Sequence, residues 1–214
     1  MTREGFTFVL PTLGISLILF SAWAASSHLI LLPFAGIAFF LLLFLIFFFR
    51  DPERKAPAGE NLILSSADGK IISVKPFQNV EFVGGQGTLV SVFMSVFDVH
   101  VNRAPISGKV EYFKYNPGKF FPAFKDKASS ENEQTELGIE NAHGRVIIKQ
   151  IAGIIARRIV CKARPGDKLS AGQRLGMIKF GSRVDHLLPE NVEIRVKPGQ
   201  KVRAGETVMG VFKK

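Results

Sequence analysis

The sequence predicts a mainly β domain, barrel-sandwich-hybrid-like with an antiparallel sheet, preceded by an N-terminal transmembrane helical hairpin. Three observations carry that expectation. Residues 6–49 contain no Asp, Glu, Lys or Arg, a stretch too long for one membrane span and suited to two. Beyond residue 60 the apolar residues fall into short runs between Gly and Pro turn signals, without a long helical period. Finally, Pro165-Gly-Asp-Lys-Leu-Ser-Ala-Gly172-Gln-Arg-Leu175 returns 33 residues later as Pro198-Gly-Gln-Lys-Val-Arg-Ala-Gly205-Glu-Thr-Val208. A repeated turn–strand–turn unit predicts two similar β-hairpin arms folded face to face.

The helices are expected at Phe6–Ala25 and Leu29–Phe49, each about 30 Å long, the thickness of the hydrocarbon core. Ser26-Ser27-His28 supplies the turn, with His28 as an interfacial polar residue. A cleaved signal peptide is disfavoured, because Glu4 offsets Arg3 and a second span follows at once. Arg3 precedes the first helix, and Arg50, Arg54 and Lys55 follow the second, while the turn holds neither Lys nor Arg. That asymmetry puts both ends in the cytoplasm. Pro11 and Pro33 would kink the helices and keep a shallow re-entrant hairpin as the alternative.

Residues 51–60 read as a polar, Pro-rich linker between this anchor (1–50) and a β domain (61–214). Strands are expected at Leu62–Leu64, Lys70–Pro76, Thr88–Met94, Gly108–Tyr115, Arg145–Ile151, Ile154–Ala163, Arg174–Ile178, Val192–Val196 and Thr207–Phe212. Turn signals at Gly84-Gly85, Asn116-Pro117-Gly118, Pro165-Gly166 and Pro198-Gly199 separate them. Gly84-Gly85-Gln86-Gly87 lacks the Lys and the strand–loop–helix setting of a phosphate-binding loop, so it reads as a hairpin turn.

Between the repeats lies Phe180-Gly181-Ser182-Arg183-Val184-Asp185, expected to form the connecting edge, where a reactive group can be displayed. Carrier domains for biotin and lipoate place a modified lysine on such an edge. Here Lys179 is the only nearby lysine, and it lacks the Met-Lys-Met setting of a carrier. A Gly-Ser bond in a strained turn can do chemistry on itself. The Ser hydroxyl can attack the preceding carbonyl, because Gly leaves that carbonyl sterically open. The resulting ester can eliminate, so that a new chain begins with a pyruvoyl group in place of serine.

At this point the chain resembles the phosphatidylserine decarboxylases, specifically the short bacterial type. The matching residues are Phe180–Asp185, Phe97-Asp98-Val99-His100-Val101-Asn102-Arg103-Ala104-Pro105, Ala67-Asp68-Gly69, and Asp126-Lys127-Ala128-Ser129 followed by Asn132-Glu133. The resemblance implies a pyruvoyl-dependent carboxy-lyase that converts phosphatidylserine to phosphatidylethanolamine and carbon dioxide. It implies autocatalytic serinolysis at Gly181-Ser182, giving a β chain of residues 1–181 and an α chain of residues 182–214. Ser182 would become the pyruvoyl cofactor and form a Schiff base with the substrate amine. His100 would act as base and acid, and Asp68 as the carboxylate that orients it.

Local sequence alone makes Asp68 an ordinary Asx turn before a strand. Asp98 is a rival orienter, two residues from His100 and on the same face of an extended strand. The longer enzymes of the family carry a second histidine three positions after the first. That position is Arg103 here, which could bind the substrate phosphate or carboxylate. The longer enzymes also use Leu-Gly-Ser-Thr at the cleavage point, against Phe-Gly-Ser-Arg here, which shifts the assignment to the short type. His143 and His186 match no motif; His186, though close in sequence to Ser182, reads as a solvent-facing loop residue.

Lys119-Phe120-Phe121-Pro122-Ala123-Phe124-Lys125 sets Phe120, Phe121 and Phe124 among lysines on a loop. Either the rings pack into the core or they enter a membrane interface beside cationic attraction to headgroups. The net charge of +10 suits nucleic acid or an anionic membrane surface. The charge is dispersed and no nucleic-acid motif occurs, which argues against an anchored adaptor of that kind. A single cysteine, Cys161, excludes an intrachain disulfide and reads as a small buried hydrophobe. One Cys and scattered His give no metal-ligand spacing. The expected partners are the phospholipid membrane, phosphatidylserine and the two chains of the cut protein, with homodimerisation left open. The expected location is the bacterial cytoplasmic (inner) membrane, with the catalytic domain on its cytoplasmic side.

Overall fold

The computed structural model describes residues 1–125, 128–153, 159–179 and 181–213. The chain divides into two compact units, Met1–Glu53 and Arg54–Lys214. The first is a pair of apolar helices, α1 (Arg3–Ser26) and α2 (Leu31–Phe48), both long and apolar enough to cross a membrane. Thr2 caps α1, accepting the Gly5 N–H at Oγ1. Ser27 ends it in the left-handed region and donates its N–H to the Trp23 carbonyl. The helices run antiparallel: Phe8 stacks on Phe49 and Phe20 meets Phe39 edge-on. Most outward side chains are large and apolar, with Ile18 69 % and Phe40 74 % exposed, a surface suited to lipid rather than water.

The second unit is built from short strands, as the run lengths require. They are β1 (Leu62–Leu64), β2 (Gly69–Val80), β3 (Gly85–Met94), β4 (Val101–Arg103), β5 (Gly108–Asn116), β6 (Gln134–Asn141), β7 (Gly144–Ala152), β8 (Ile159–Cys161), β9 (Lys168–Leu169), β10 (Arg174–Ile178), β11 (Ser182–Pro189), β12 (Val192–Ile194), β13 (Lys201–Val202) and β14 (Val208–Phe212). An eight-stranded antiparallel sheet has the order β13-β2-β3-β11-β7-β6-β5-β9. Two three-stranded sheets, β1-β14-β12 and β4-β10-β8, complete the fold. One continuous core lies against the large sheet, including Val92, Met94, Val184, Ile148 and Leu188. A short helix, α3 (Ala128–Glu131), sits among the later loops.

The predicted strands recur with small boundary shifts. The Gly84-Gly85 hairpin turn is present, with both residues at positive φ after a 3-10 turn at Glu81–Val83. Of the strand expected at Ile154–Ala163, Ile159–Cys161 is a strand, and residues 154–158 lie outside the described residues. The largest correction concerns the segment after Gly181. It is no displayed edge between arms: it begins β11, a strand flanked by β3 and β7 near the middle of the large sheet. Arg183 and Asp185 disguise it in sequence. In the fold they pair with each other, so the strand buries both charges together.

The repeat is real but does not form self-paired hairpins. β9 pairs with β5 and β13 with β2, at opposite ends of the large sheet. β10 and β14 pair in the two small sheets. The repeat glycines approach closely: a Cβ on Gly205 would stand 3.2 Å from the Gly172 Cα, and Gly172 and Gly205 have φ of +78° and +73°. Each copy is gripped by equivalent bonds. Gly199 N–H donates to Ile71 O and Gly205 N–H to Ser65 O; Gly166 N–H donates to Val110 O and Gly172 N–H to Ala104 O.

Candidate active site

Ser182 is the first residue of β11. Its cross-strand partners are Met94 on β3 and Ala152 on β7, and it is fully buried. Its Oγ–H donates to the Met94 thioether at 3.4 Å. Gly181 has φ +51°, a conformation that costs glycine little and other residues more. A Cβ on Gly153 would collide with the Gly181 carbonyl oxygen. The Gly181 carbonyl therefore occupies space that only a glycine at 153 leaves open. Phe180 lies outside the described residues, as do Asp126 and Lys127.

β3 ends at Met94, and the next turn carries the histidine motif to the same end of the sheet. Ser95 N–H donates to the Asp98 carboxylate at 2.8 Å, tightening that turn. His100 is completely buried, and its Nδ1 lies 3.0 Å from the Asp98 carbonyl oxygen. A carbonyl can only accept, so Nδ1 carries the proton and Nε2 is the basic nitrogen. Asn102, two residues on, reaches toward both Met94 Sδ (3.7 Å) and Ser66 O (3.4 Å). Gln150 and Thr135 extend this buried chain: Gln150 Nε2 donates to Asn102 Oδ1 at 2.7 Å, and Thr135 Oγ1 to Gln150 Oε1 at 2.9 Å.

Asp68 stands elsewhere in the hydrogen-bond pattern. Among the described residues its carboxylate accepts from Arg54 Nη2 at 2.7 Å and from Ala204 N–H at 2.8 Å. The Ala204 bond has a counterpart across the repeat, where Ala171 N–H donates to Ser107 Oγ at 2.9 Å. Asp68 thus grips one repeat copy as Ser107 grips the other, and it also anchors Arg54. Its neighbour Ser66 accepts the Arg103 N–H at 2.9 Å, which ties the Asp68 turn to the strand that follows His100. Arg103 is buried and donates from Nη1 to the Gly172 carbonyl at 3.0 Å, between the repeat copies.

Sequence reading missed the burial of His186 and the role of Asn132, which stood there only as part of a motif. His186 is a correction: it is fully buried inside β11 rather than solvent-facing, and accepts the Ser66 N–H at Nε2 (2.9 Å). Burial pulls its pKa down to about 4, against smaller opposing effects of the Val90 carbonyl and Asp185. Nothing short of the register reveals this, because His186 is framed by Asp185 and a loop-like Pro-Glu-Asn sequence. The second feature is Asn132, which accepts the Phe121 N–H and donates to the Phe121 and Ala152 carbonyls. It pins the aromatic loop to the end of β7.

That loop divides its phenylalanines. Phe120 packs on the main core, Phe121 is half-buried under Lys119, and Phe124 is 59 % exposed, edge-on to Phe93. Phe97, beside the histidine turn, is 67 % exposed. His143 stacks on Phe212, in the β6–β7 turn. Cys161 is half-buried against the core, and burial pushes its thiol pKa up. Among the described residues no three His, Cys, Asp or Glu side chains converge on a metal position.

The fold thus places a buried, glycine-preceded serine at the head of a central strand, and a buried histidine follows the neighbouring strand β3. Comparison with known proteins extends this. The sequence profile of the phosphatidylserine decarboxylase family matches residues 41–210. A phosphatidylserine decarboxylase proenzyme of Chlorobium limicola is 45 % identical over 99 % of this chain and 100 % of its own. Those of Carboxydothermus hydrogenoformans (46 %, covering 100 % and 97 %) and Geobacter sulfurreducens (48 %, covering 98 % and 95 %) are similarly related. The chain belongs to the phosphatidylserine decarboxylase family.

Proposed function

We propose that this chain decarboxylates phosphatidylserine to phosphatidylethanolamine, after cutting itself at Gly181-Ser182 and converting Ser182 to a pyruvoyl group. The observation that carries the reading is the cradle at the scissile bond. Ser182 is fully buried, Gly181 is held at positive φ, and the absent Cβ of Gly153 leaves room for the carbonyl oxygen. A small group replacing the Ser182 side chain suits a site bounded by Met94 and Ala152. Once formed, a pyruvoyl group supplies a carbonyl that condenses with an amine and takes up the electrons released with carbon dioxide.

The chain's own residues supply the proton chemistry. His100 Nε2 takes the proton from Ser182 Oγ, which leaves a thioether partner cheaply because sulfur is a weak acceptor. The Asp98 carbonyl holds the imidazole in the tautomer that keeps Nε2 basic. In turnover the same nitrogen returns a proton to the substrate α-carbon. Asp68 acts indirectly: by holding Arg54 and Ala204 it fixes the turn whose Ser66 carbonyl secures the His100 strand. The apolar helices anchor the protein in the bacterial inner membrane, with both ends and the catalytic unit in the cytoplasm.

Intact mass tests the reading. Wild type should give fragments 1–181 and 182–214, the second shortened by loss of ammonia and sensitive to a reductant that traps amines on ketones. Ser182→Ala should give one uncut chain of 214 residues without activity. Cleavage of that bond in the Ala variant would exclude Ser182 as nucleophile.

A further inference from the structure

Side chains alternate along β11, so Arg183 and Asp185 lie on the face opposite Ser182 and Val184. Both are almost completely buried. Arg183 Nε donates to Asp185 Oδ1 at 2.6 Å, and Nη2 donates to Ser91 Oγ at 2.8 Å. The second Asp185 oxygen accepts from Ser129 Oγ on α3. Arg183 Nη1 is buried and, among the described residues, has no hydrogen-bond partner. A guanidinium presents its donors as a rigid fork matched to carboxylate and phosphate oxygens. A buried donor left open in one state of a protein is explained if another state fills it.

We propose that Arg183 forms an anion subsite beside the scissile bond, its Nη1 taking a carboxylate or phosphate oxygen that the uncut, ligand-free chain lacks. The inference rests on Gly181-Ser182 being that bond. Two sources offer this chemistry. Attack of Ser182 Oγ on the Gly181 carbon breaks the peptide C–N bond and forms an ester, with the proton passing to the freed amine. Removal of the Ser182 α-proton then expels the Cβ–Oγ bond and leaves a carboxylate on Gly181. The resulting enamine at 182 tautomerises, takes up water and loses ammonia. A negative charge therefore appears two residues from Arg183, at a buried site that needs a cation. The other source is the headgroup of the lipid, which brings both a carboxylate and a phosphodiester. It would approach beneath the loop whose exposed Phe124 meets Phe93, the cross-strand partner of Arg183.

Two variants test the subsite. Arg183→Lys keeps a cation beside Asp185 but loses the fork; Arg183→Gln with Asp185→Asn removes both charges together. Cleavage is followed by intact mass, and KM and kcat for phosphatidylserine in mixed micelles are measured on matured protein. If the Gly181 carboxylate is the occupant, both variants mature about tenfold more slowly, with KM of the matured fraction unchanged. If the headgroup is the occupant, maturation keeps its rate and KM rises about tenfold, with kcat moving less. Variants that cut and turn over within about twofold of the parent overturn the subsite. Should the double variant fail to fold, Arg183→Lys decides alone; if that variant also unfolds by circular dichroism, a purely structural role replaces the subsite. A parent protein never cut at Gly181-Ser182 would remove the underlying reading instead.

Discussion

At the scale of single residues, the domain buries two histidines, each with Nδ1 against a backbone carbonyl. His186 accepts a backbone N–H at Nε2 and is held neutral, its pKa near 4 against an ordinary 6.5. Below pH 6.5 the unfolded chain takes up a proton that the folded chain refuses. This contribution to stability is therefore whole above pH 6.5 and is lost progressively toward pH 4. Between pH 6.5 and 5 the loss is about 2 kcal/mol. Urea midpoints across that range should fall in wild type and fall less in His186→Gln; parallel profiles would rule out His186 as the source. His100 has its proton held on Nδ1 by the Asp98 carbonyl. His100→Ala should slow cleavage about a hundredfold or more while leaving the fold intact. Processing at the wild-type rate would require the base to be sought elsewhere.

At the scale of elements, the turn from β7 meets the start of β11 through a missing Cβ. Gly153→Ala would drive a methyl group into the Gly181 carbonyl oxygen. The backbone must then shift, and the Gly181 carbonyl moves relative to the Ser182 hydroxyl. A misplacement near 1 Å costs about a hundredfold in such a reaction, so the variant should accumulate as uncut chain. Normal maturation of a folded Gly153→Ala protein would show that the cradle is incidental. β11 itself shows why a central strand escaped the sequence. Arg183, Asp185 and His186 are residue types found on surfaces, yet each is buried here with a partner on β11, β3 or the Ser66 turn. β6 escaped for another reason. Gln134 and Thr135 are buried polar residues, and Glu136 pairs with Lys149, so the strand lacks apolar alternation.

At the scale of the molecule, the two N-terminal helices are long and apolar enough to cross a membrane, and the second unit exposes aromatic rings of its own. Phe97 and Phe124 are exposed, with Lys119 and Lys125 on the Phe124 loop, whereas Phe120 belongs to the core. Phe97→Ser with Phe124→Ser should weaken vesicle binding of the protein lacking residues 1–50, most clearly with anionic lipid at low salt. Phe120→Ser should instead lower stability by about 1–3 kcal/mol and leave lipid binding of the folded fraction unchanged. Co-sedimentation with vesicles, beside thermal unfolding of each variant, separates the two effects. Equal binding by the exposed-ring variant and its parent would remove these rings from the interface.

The sequence by itself determined the apolar hairpin, the β class, most strand positions, the repeat and the Gly-Ser bond. Each rests on local signals: absence of charge, short apolar runs, turn glycines and a motif read in order. Tertiary structure alone decided that Ser182 heads a buried central strand, because burial of Arg183 and Asp185 becomes tolerable only when the register brings them together. It alone placed Asp68 against Arg54 and Ala204, set Gly153 behind the Gly181 carbonyl and divided Phe120 from Phe124. Those outcomes depend on which strands become neighbours across long sequence separations, and hydrogen bonding and excluded volume act on neighbours in space.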